Sequence, residues 1–126
     1  MKSLLIIDDE PAVARLIKKV AESCGYTAQA TNTSEDFTDA LIAREPDVIV
    51  LDLSLPDVDG VELLRFLSLT KCRAKILIIS GFDPRVLETT ANLGGELGLY
   101  IAGTLAKPVR VANLREAFAG LDKIAA

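Results

Sequence analysis

Three carboxylates stand directly after short apolar runs of the sequence. Asp8 and Asp9 follow an apolar run near the start of the chain, and Asp52 ends the β-branched run of residues 48–51. Two like charges about 4 Å apart repel by roughly 4 kcal/mol at an effective dielectric constant of about 20, and a divalent cation relieves that repulsion. Because a set of oxygen ligands favours Mg²⁺ or Mn²⁺, these carboxylates form a candidate cation site if the fold brings them together.

A hydroxyl group and an ammonium group complete the set of reactive residues. Ser80 ends the apolar run of residues 75–80, and Lys107 follows the run of residues 100–105. Transfer of a phosphoryl group depends on positioning and on neutralisation of charge. The cation, the Lys107 ammonium and the Ser80 hydroxyl would each bind one phosphoryl oxygen. Asp52 would then attack as a carboxylate nucleophile and become an aspartyl phosphate.

Five units of a strand followed by a helix are predicted from the apolar periodicity. The predicted strands cover residues 3–8, 26–30, 48–52, 75–80 and 100–105. Alternating strands and helices predict an α/β fold with a doubly wound five-stranded parallel sheet and helices on both faces. The second strand is the least apolar and is expected at an edge, which gives the strand order 2-1-3-4-5. All the strand ends that carry reactive groups would then meet at one edge of the sheet.

Local signals predict where the helices begin and end. The first helix is expected to begin at Pro11 and to stop at Gly25. Either Thr33 or Ser34 can cap the second helix, and Asp59 is expected to cap the third. The fourth helix is expected to begin at Asp83 and Pro84 and to fray at a cluster of three glycines, Gly94, Gly95 and Gly98.

Composition restricts the possible functions. The 126 residues suit one domain, and 14 basic against 18 acidic residues give a net charge of −4, which argues against direct binding of nucleic acid. The chain has no histidine, so any phosphorelay histidine must lie on another protein. Cys24 is expected to pack in the core, whereas Cys72 lies in a polar turn and is expected to be an exposed thiol. We find no signal peptide or membrane-spanning segment in the sequence and therefore expect a cytoplasmic protein without membrane contact.

In these residues the chain resembles the receiver domains of two-component response regulators. The matching pieces are the acidic pair after the first strand, the segment LDLSLPDVDG, and the Ser-Gly and Lys-Pro pairs after the last two strands. They occur in the order of the family, and the resemblance predicts one receiver domain over residues 1–126. It implies that Asp52 is the phosphoacceptor and that Ser80 and Lys107 contact the phosphoryl group.

The resemblance also implies a set of metal ligands. Asp9 would bind Mg²⁺ directly, Asp8 would hold it largely through water, and the Ser54 backbone carbonyl would be a further ligand beside Asp52. Asp57 and Asp59 are interpreted as turn and capping residues instead. In the family, the peptide bond before the proline at position 108 is cis.

The resemblance to a receiver implies one partner that donates the phosphoryl group and another that responds to the phosphorylated domain. The donor would be a histidine kinase or a histidine phosphotransfer protein, and the target a downstream output protein or a fused output domain. Phosphorylation would alter the surface of the fourth helix, fifth strand and fifth helix, and slow autodephosphorylation would reset it. The resemblance therefore implies a switch rather than a turnover enzyme, and it allows a homodimer.

Two positions depart from the family pattern, and two other functions remain open. Thr104 occupies the place of a switching aromatic residue, and Arg110 that of a helix-capping residue. One alternative is a receiver-like interaction module that is not regulated by phosphorylation, which Thr104 keeps open. The other is a haloacid-dehalogenase-like phosphatase, which would need a second aspartate where Ser54 stands.

Overall fold

Strands and helices alternate along the chain. The computed structural model describes residues 1–81 and 83–122. The strands are β1 (Ser3–Ile7), β2 (Thr27–Thr31), β3 (Val48–Asp52), β4 (Lys75–Ser80) and β5 (Tyr100–Ala106). The helices are α1 (Pro11–Ser23), α2 (Ser34–Ala43), α3 (Gly60–Leu69), α4 (Pro84–Glu96) and α5 (Val111–Asp122). Each predicted strand and helix is therefore present; β3 and β4 have the predicted bounds, and the ends of the other strands differ from the prediction by one residue at most.

The strands form one parallel sheet in the order β2-β1-β3-β4-β5. This order confirms the prediction, including the position of the polar β2 at an edge. In the register of β1 with β3, Ile7 lies opposite Leu51, and on the other side of β3, Asp52 lies opposite Ile79. The carboxyl ends of β1, β3 and β4 are thus neighbours, with the reversal of strand order between β1 and β3.

Apolar side chains fill both faces of the sheet. All five residues of β3 are buried, with Ile49 and Leu51 facing the cluster under α2, α3 and α4. Val48 and Val50 face the cluster under α1 and α5, where the rings of Tyr26 and Phe118 lie 5.7 Å apart between centroids. A strand that is covered on both sides has to be apolar throughout, which explains why β3 shows no alternation of apolar and polar residues.

The capping residues are mostly those predicted. Thr33 caps α2, because its side chain accepts a hydrogen bond from the Asp36 amide. The Asp59 side chain caps α3 by accepting from the Val61 amide. Gly25, with φ +95°, follows the end of α1 in the left-handed conformation that glycine tolerates best.

Two predictions were wrong in detail. Gly94 and Gly95 lie inside α4, which continues to Glu96. At Gly94 the reason is close packing rather than a helix stop, because a Cβ there would lie 2.7 Å from Ile101 Cδ1. Cys72 is half-buried against the core instead of exposed, and burial raises the pKa of its thiol.

Gly60 packs against the residue that follows Asp52. A Cβ at Gly60 would lie 2.7 Å from Leu53 Cδ2 and 3.1 Å from Leu53 Cα. Because the backbone must move, Gly60→Ala is expected to lower the free energy of unfolding by about 1–3 kcal/mol. Gly95→Ala is the matched control, since its Cβ would meet no atom of the described chain within 4 Å beyond its chain neighbours and the backbone of its own helix. The free energy of unfolding of that variant is expected to rise by about 0.5–1 kcal/mol. Both variants are measured by urea denaturation, and equal effects of the two changes would contradict the packing argument.

Candidate functional site

Three acidic residues meet at the carboxyl edge of the sheet. Asp8, Asp9 and Asp52 each offer a carboxylate oxygen, and these oxygens lie within 4.8 Å of one another. Asp8 and Asp52 are fully buried, whereas Asp9 is half-buried. They come together because β1 and β3 are adjacent parallel strands and each acid stands at or just after a strand end. The structure therefore assembles the cluster of acids that the sequence predicts.

The buried carboxylate of Asp8 has one oxygen that is poorly satisfied. Its Oδ1 accepts a hydrogen bond from the Glu10 amide at 2.9 Å. Its Oδ2 accepts no well-oriented hydrogen bond from any described residue, although the Lys107 Nζ lies 3.3 Å away. Burial raises the pKa of Asp8 to about 6, and the charge of Asp52 adds to that rise, while the Glu10 amide and Lys107 oppose it. A buried, under-bonded carboxylate oxygen beside two other acids fits a divalent cation.

Asp52 is held at both of its oxygens. The Ser54 amide donates to Oδ1 at 2.9 Å, and the Lys107 Nζ donates to Oδ2 at 3.0 Å. The following residue is fixed as well, because the Leu53 amide donates to the Ile79 carbonyl of β4 at 3.1 Å. The carboxylate therefore has a defined orientation at the end of a rigid, buried strand.

The Lys107 ammonium lies among three carboxylates. Its Nζ is 3.0 Å from Asp52, 3.3 Å from Asp8 and 3.2 Å from Glu10, and its side chain is 15% exposed. Burial favours the neutral amine, but the hydrogen bond with Asp52 and the charges of Asp52 and Asp8 outweigh it and raise the pKa of Lys107. The lysine therefore carries its positive charge within this group of acids.

Ser80 stands beside these residues at the end of β4. It is fully buried, and its carbonyl accepts a hydrogen bond from the Lys107 amide at 2.9 Å. The peptide bond between Lys107 and Pro108 is cis, as the family resemblance implies. Thr104, in contrast, is exposed on β5, where it pairs with Ile78.

Several supporting contacts were missed from the sequence. Glu10 pairs with Lys107 although 97 positions separate them, and its only sequence signal is that it extends the acidic pair. Asn32 Nδ2 donates to the Asp8 carbonyl at 2.9 Å. Asp57, interpreted as a turn residue, accepts two hydrogen bonds from Ser34 on α2. These contacts join segments that are distant in sequence, so no local sequence pattern predicts them.

A parallel sheet of this order with acids, a serine and a lysine at its carboxyl edge defines a receiver. The chain belongs to the response regulator receiver domain family, whose sequence model matches residues 4–119. It is therefore a phosphoacceptor domain of two-component signalling, and such domains are signalling modules rather than enzymes. Receivers bind Mg²⁺ at an aspartate cluster and act with histidine kinases and output domains.

Known relatives agree with this assignment. The cell cycle response regulator CtrA of Brucella ovis is 38% identical over 78 residues, which cover 62% of this chain and 34% of that protein. The chain thus spans about a third of the length of the curated relatives it matches. A response regulator from Colwellia psychrerythraea is 29% identical, with a TM-score of 0.80 over 95% of both chains. The chemotaxis response regulator CheY4 of Vibrio cholerae, 17% identical, has the same fold, with a TM-score of 0.82 over 94% of this chain and 97% of its own.

The five helices of the described chain are 10 to 13 residues long. Within residues 1–81 and 83–122, none of them is both long enough and apolar enough to cross a bilayer.

Proposed function

We propose that Asp52 accepts a phosphoryl group from a phosphohistidine of a kinase or a phosphotransfer protein. The observation that carries this proposal is the surroundings of Asp52: a fully buried carboxylate with an ammonium at 3.0 Å and the oxygens of two more acids within 4.8 Å. Asp52 attacks the phosphorus atom, the bond from phosphorus to the histidine nitrogen breaks, and the phosphoryl group remains on the carboxylate as an acyl phosphate.

The side chains around Asp52 have separate roles in this proposal. The Ser54 amide holds Oδ1, so the carboxylate keeps its orientation when it reacts. Lys107 neutralises charge on one phosphoryl oxygen, and the Ser80 hydroxyl donates a hydrogen bond to another. Lys107 already contacts Asp52, and Ser80 ends β4, the strand that pairs with β3. Positioning of this kind supplies much of the catalysis in phosphoryl transfer.

The acid cluster is the proposed cation site. Asp9 and Asp52 bind Mg²⁺ directly, Asp8 holds it largely through water, and the Ser54 carbonyl is a further ligand; Mn²⁺ suits the same oxygens. When bound, the cation supplies neutralisation of the charge on the phosphoryl oxygens. The half-buried Asp9 and the under-bonded Oδ2 of Asp8 support this assignment.

Phosphorylation acts as a switch in this proposal. The phosphoryl group adds about −1.5 to −2 units of charge, as on ordinary side-chain phosphates. Ser80 and Lys107 adjust to it, and the surface of α4, β5 and α5 changes its population of conformers. An output protein or a fused output domain reads that surface, either from the monomer or from a homodimer. Slow autodephosphorylation then returns the domain to its unphosphorylated state. In this proposal the domain covers residues 1–126 and acts in the cytoplasm.

The proposal is tested by weighing the intact protein after incubation with acetyl phosphate and Mg²⁺. We expect an adduct of about 80 Da, the mass of one phosphoryl group on the nucleophile. The adduct is expected to be absent when EDTA replaces Mg²⁺. No adduct in folded, Mg²⁺-loaded protein would contradict the proposal and favour an interaction module. Repeated turnover of small phosphate esters would instead favour a phosphatase.

A further inference from the structure

The turn between β2 and α2 contacts both acidic loops of the site. On one side, the Asp8 amide donates to the Thr31 carbonyl at 3.1 Å, and Asn32 Nδ2 donates to the Asp8 carbonyl at 2.9 Å. On the other side, Asp57 accepts from both the amide and the hydroxyl of Ser34, at 2.9 and 2.8 Å. The turn thus joins the segment that carries Asp8 to the segment that follows Asp52.

Hydrogen bonds hold both ends of this turn in place. Thr31 is buried, and its hydroxyl donates to the Ile6 carbonyl of β1 at 2.6 Å. Ser34 is the first residue of α2, where backbone amides lack partners within the helix. Thr33 satisfies one such amide, that of Asp36, and Asp57 satisfies that of Ser34 from outside the helix. The Ser34 contact is therefore a charge-assisted pair of hydrogen bonds at a positive helix end.

The contact fixes the loop that carries a proposed cation ligand. Asp57 lies three residues after Ser54, whose amide already donates to Asp52. Asp59, two residues further on, caps α3. The loop of residues 53–59 is thus anchored at its start, at its centre and at its end, and the central anchor is the contact of Asp57 with Ser34.

We infer that the Asp57–Ser34 contact is a positioning contact that sets the place of the Ser54 carbonyl and thereby the affinity for Mg²⁺. This inference rests on the proposed cation site. Residues that orient the ligands of a metal, without touching it, commonly change affinity when they are altered. Because the contact is exposed and lies outside the acid cluster, it can be removed without altering a ligand.

The test is the Mg²⁺ dissociation constant of the whole protein, measured by calorimetric titration. Asp57→Ala removes both hydrogen bonds and is expected to raise that constant about 10-fold. Ser34→Ala is expected to raise it less, because the backbone amide of residue 34 still donates to Asp57. The double variant is expected to bind no more weakly than Asp57→Ala alone, because Asp57→Ala already removes the acceptor of both hydrogen bonds. Asp57→Asn removes the charge but keeps an acceptor, and it is expected to lose less affinity than Asp57→Ala.

Thr33→Ala is the matched control. It removes the cap of the same helix, so it is expected to lower the melting temperature while leaving the Mg²⁺ dissociation constant within about 1.5-fold of the wild type. An equal loss of affinity in Thr33→Ala, or unchanged affinity in both Asp57→Ala and Ser34→Ala, would overturn the inference. In the latter case, a wild type that binds Mg²⁺ and an Asp9→Asn variant that does not would leave the proposed function standing. A wild type without Mg²⁺ binding would overturn both.

Discussion

Asp52→Asn is expected to abolish the phosphoryl adduct completely. The amide that replaces the carboxylate is a poor nucleophile and cannot form the acyl phosphate. Its oxygen can still accept the hydrogen bond that Ser54 now donates to Oδ1, so the loop is expected to stay in place. The result is measured as the intact mass after treatment with acetyl phosphate and Mg²⁺.

The control for this variant is Asp59→Asn, in the same loop. Asp59 caps α3 by accepting from the Val61 amide, and asparagine serves well as a helix cap. This variant is expected to take up the phosphoryl group as the wild type does. An adduct of the same yield in Asp52→Asn would show that another residue is the acceptor and would refute the assignment of Asp52.

Asp8→Asn is expected to change how stability depends on pH in the absence of Mg²⁺. Because burial raises the pKa of Asp8 from 3.8 to about 6, the folded protein binds this proton more tightly than the unfolded protein does. The resulting stability is present in full below pH 3.8 and is lost as the pH rises through about 6. Relative to Asp8→Asn, the wild type is therefore expected to lose up to about 3 kcal/mol between roughly pH 4 and pH 7.

The measurement is urea denaturation in EDTA across this range, and Asp57→Asn provides a control of opposite sign. The hydrogen bonds that the Ser34 amide and hydroxyl donate lower the pKa of Asp57. Its stabilising contribution is therefore present above pH 3.8 and is lost as the pH falls. We expect Asp57→Asn to be less stable than the wild type at neutral pH and to approach it in acid. Parallel pH curves for the wild type and Asp8→Asn would contradict the role given to burial.

The sheet was predictable because its signals are local. Short apolar runs that end in acids, a serine or a lysine fix both the strands and the edge at which their end groups meet. The clustering of Asp8, Asp9 and Asp52 is therefore predictable from the strand ends alone. The edge position of β2 followed from its being the least apolar of the strands.

The contacts that tune the site were not predictable, because they depend on distances between separate segments. Glu10 reaches Lys107 across 97 positions, and Ser34 reaches Asp57 across 23. Gly94 was misinterpreted for the same reason, because its close neighbour Ile101 lies on the next strand rather than in its own helix. A glycine pattern alone does not distinguish the end of a helix from a tight helix–strand contact.

The hydrogen bond from the Lys107 amide to the Ser80 carbonyl joins the main chain of two residues that contact the phosphoryl group in our proposal. A displacement of the tip of β4 is therefore transmitted directly to the tip of β5, without help from any side chain. The separation between hydroxyl and ammonium can be preserved during such a movement. The Leu53 amide ties the end of β3 to β4 as well, through the Ile79 carbonyl, so the residues that meet the phosphoryl group in our proposal are joined through their backbones.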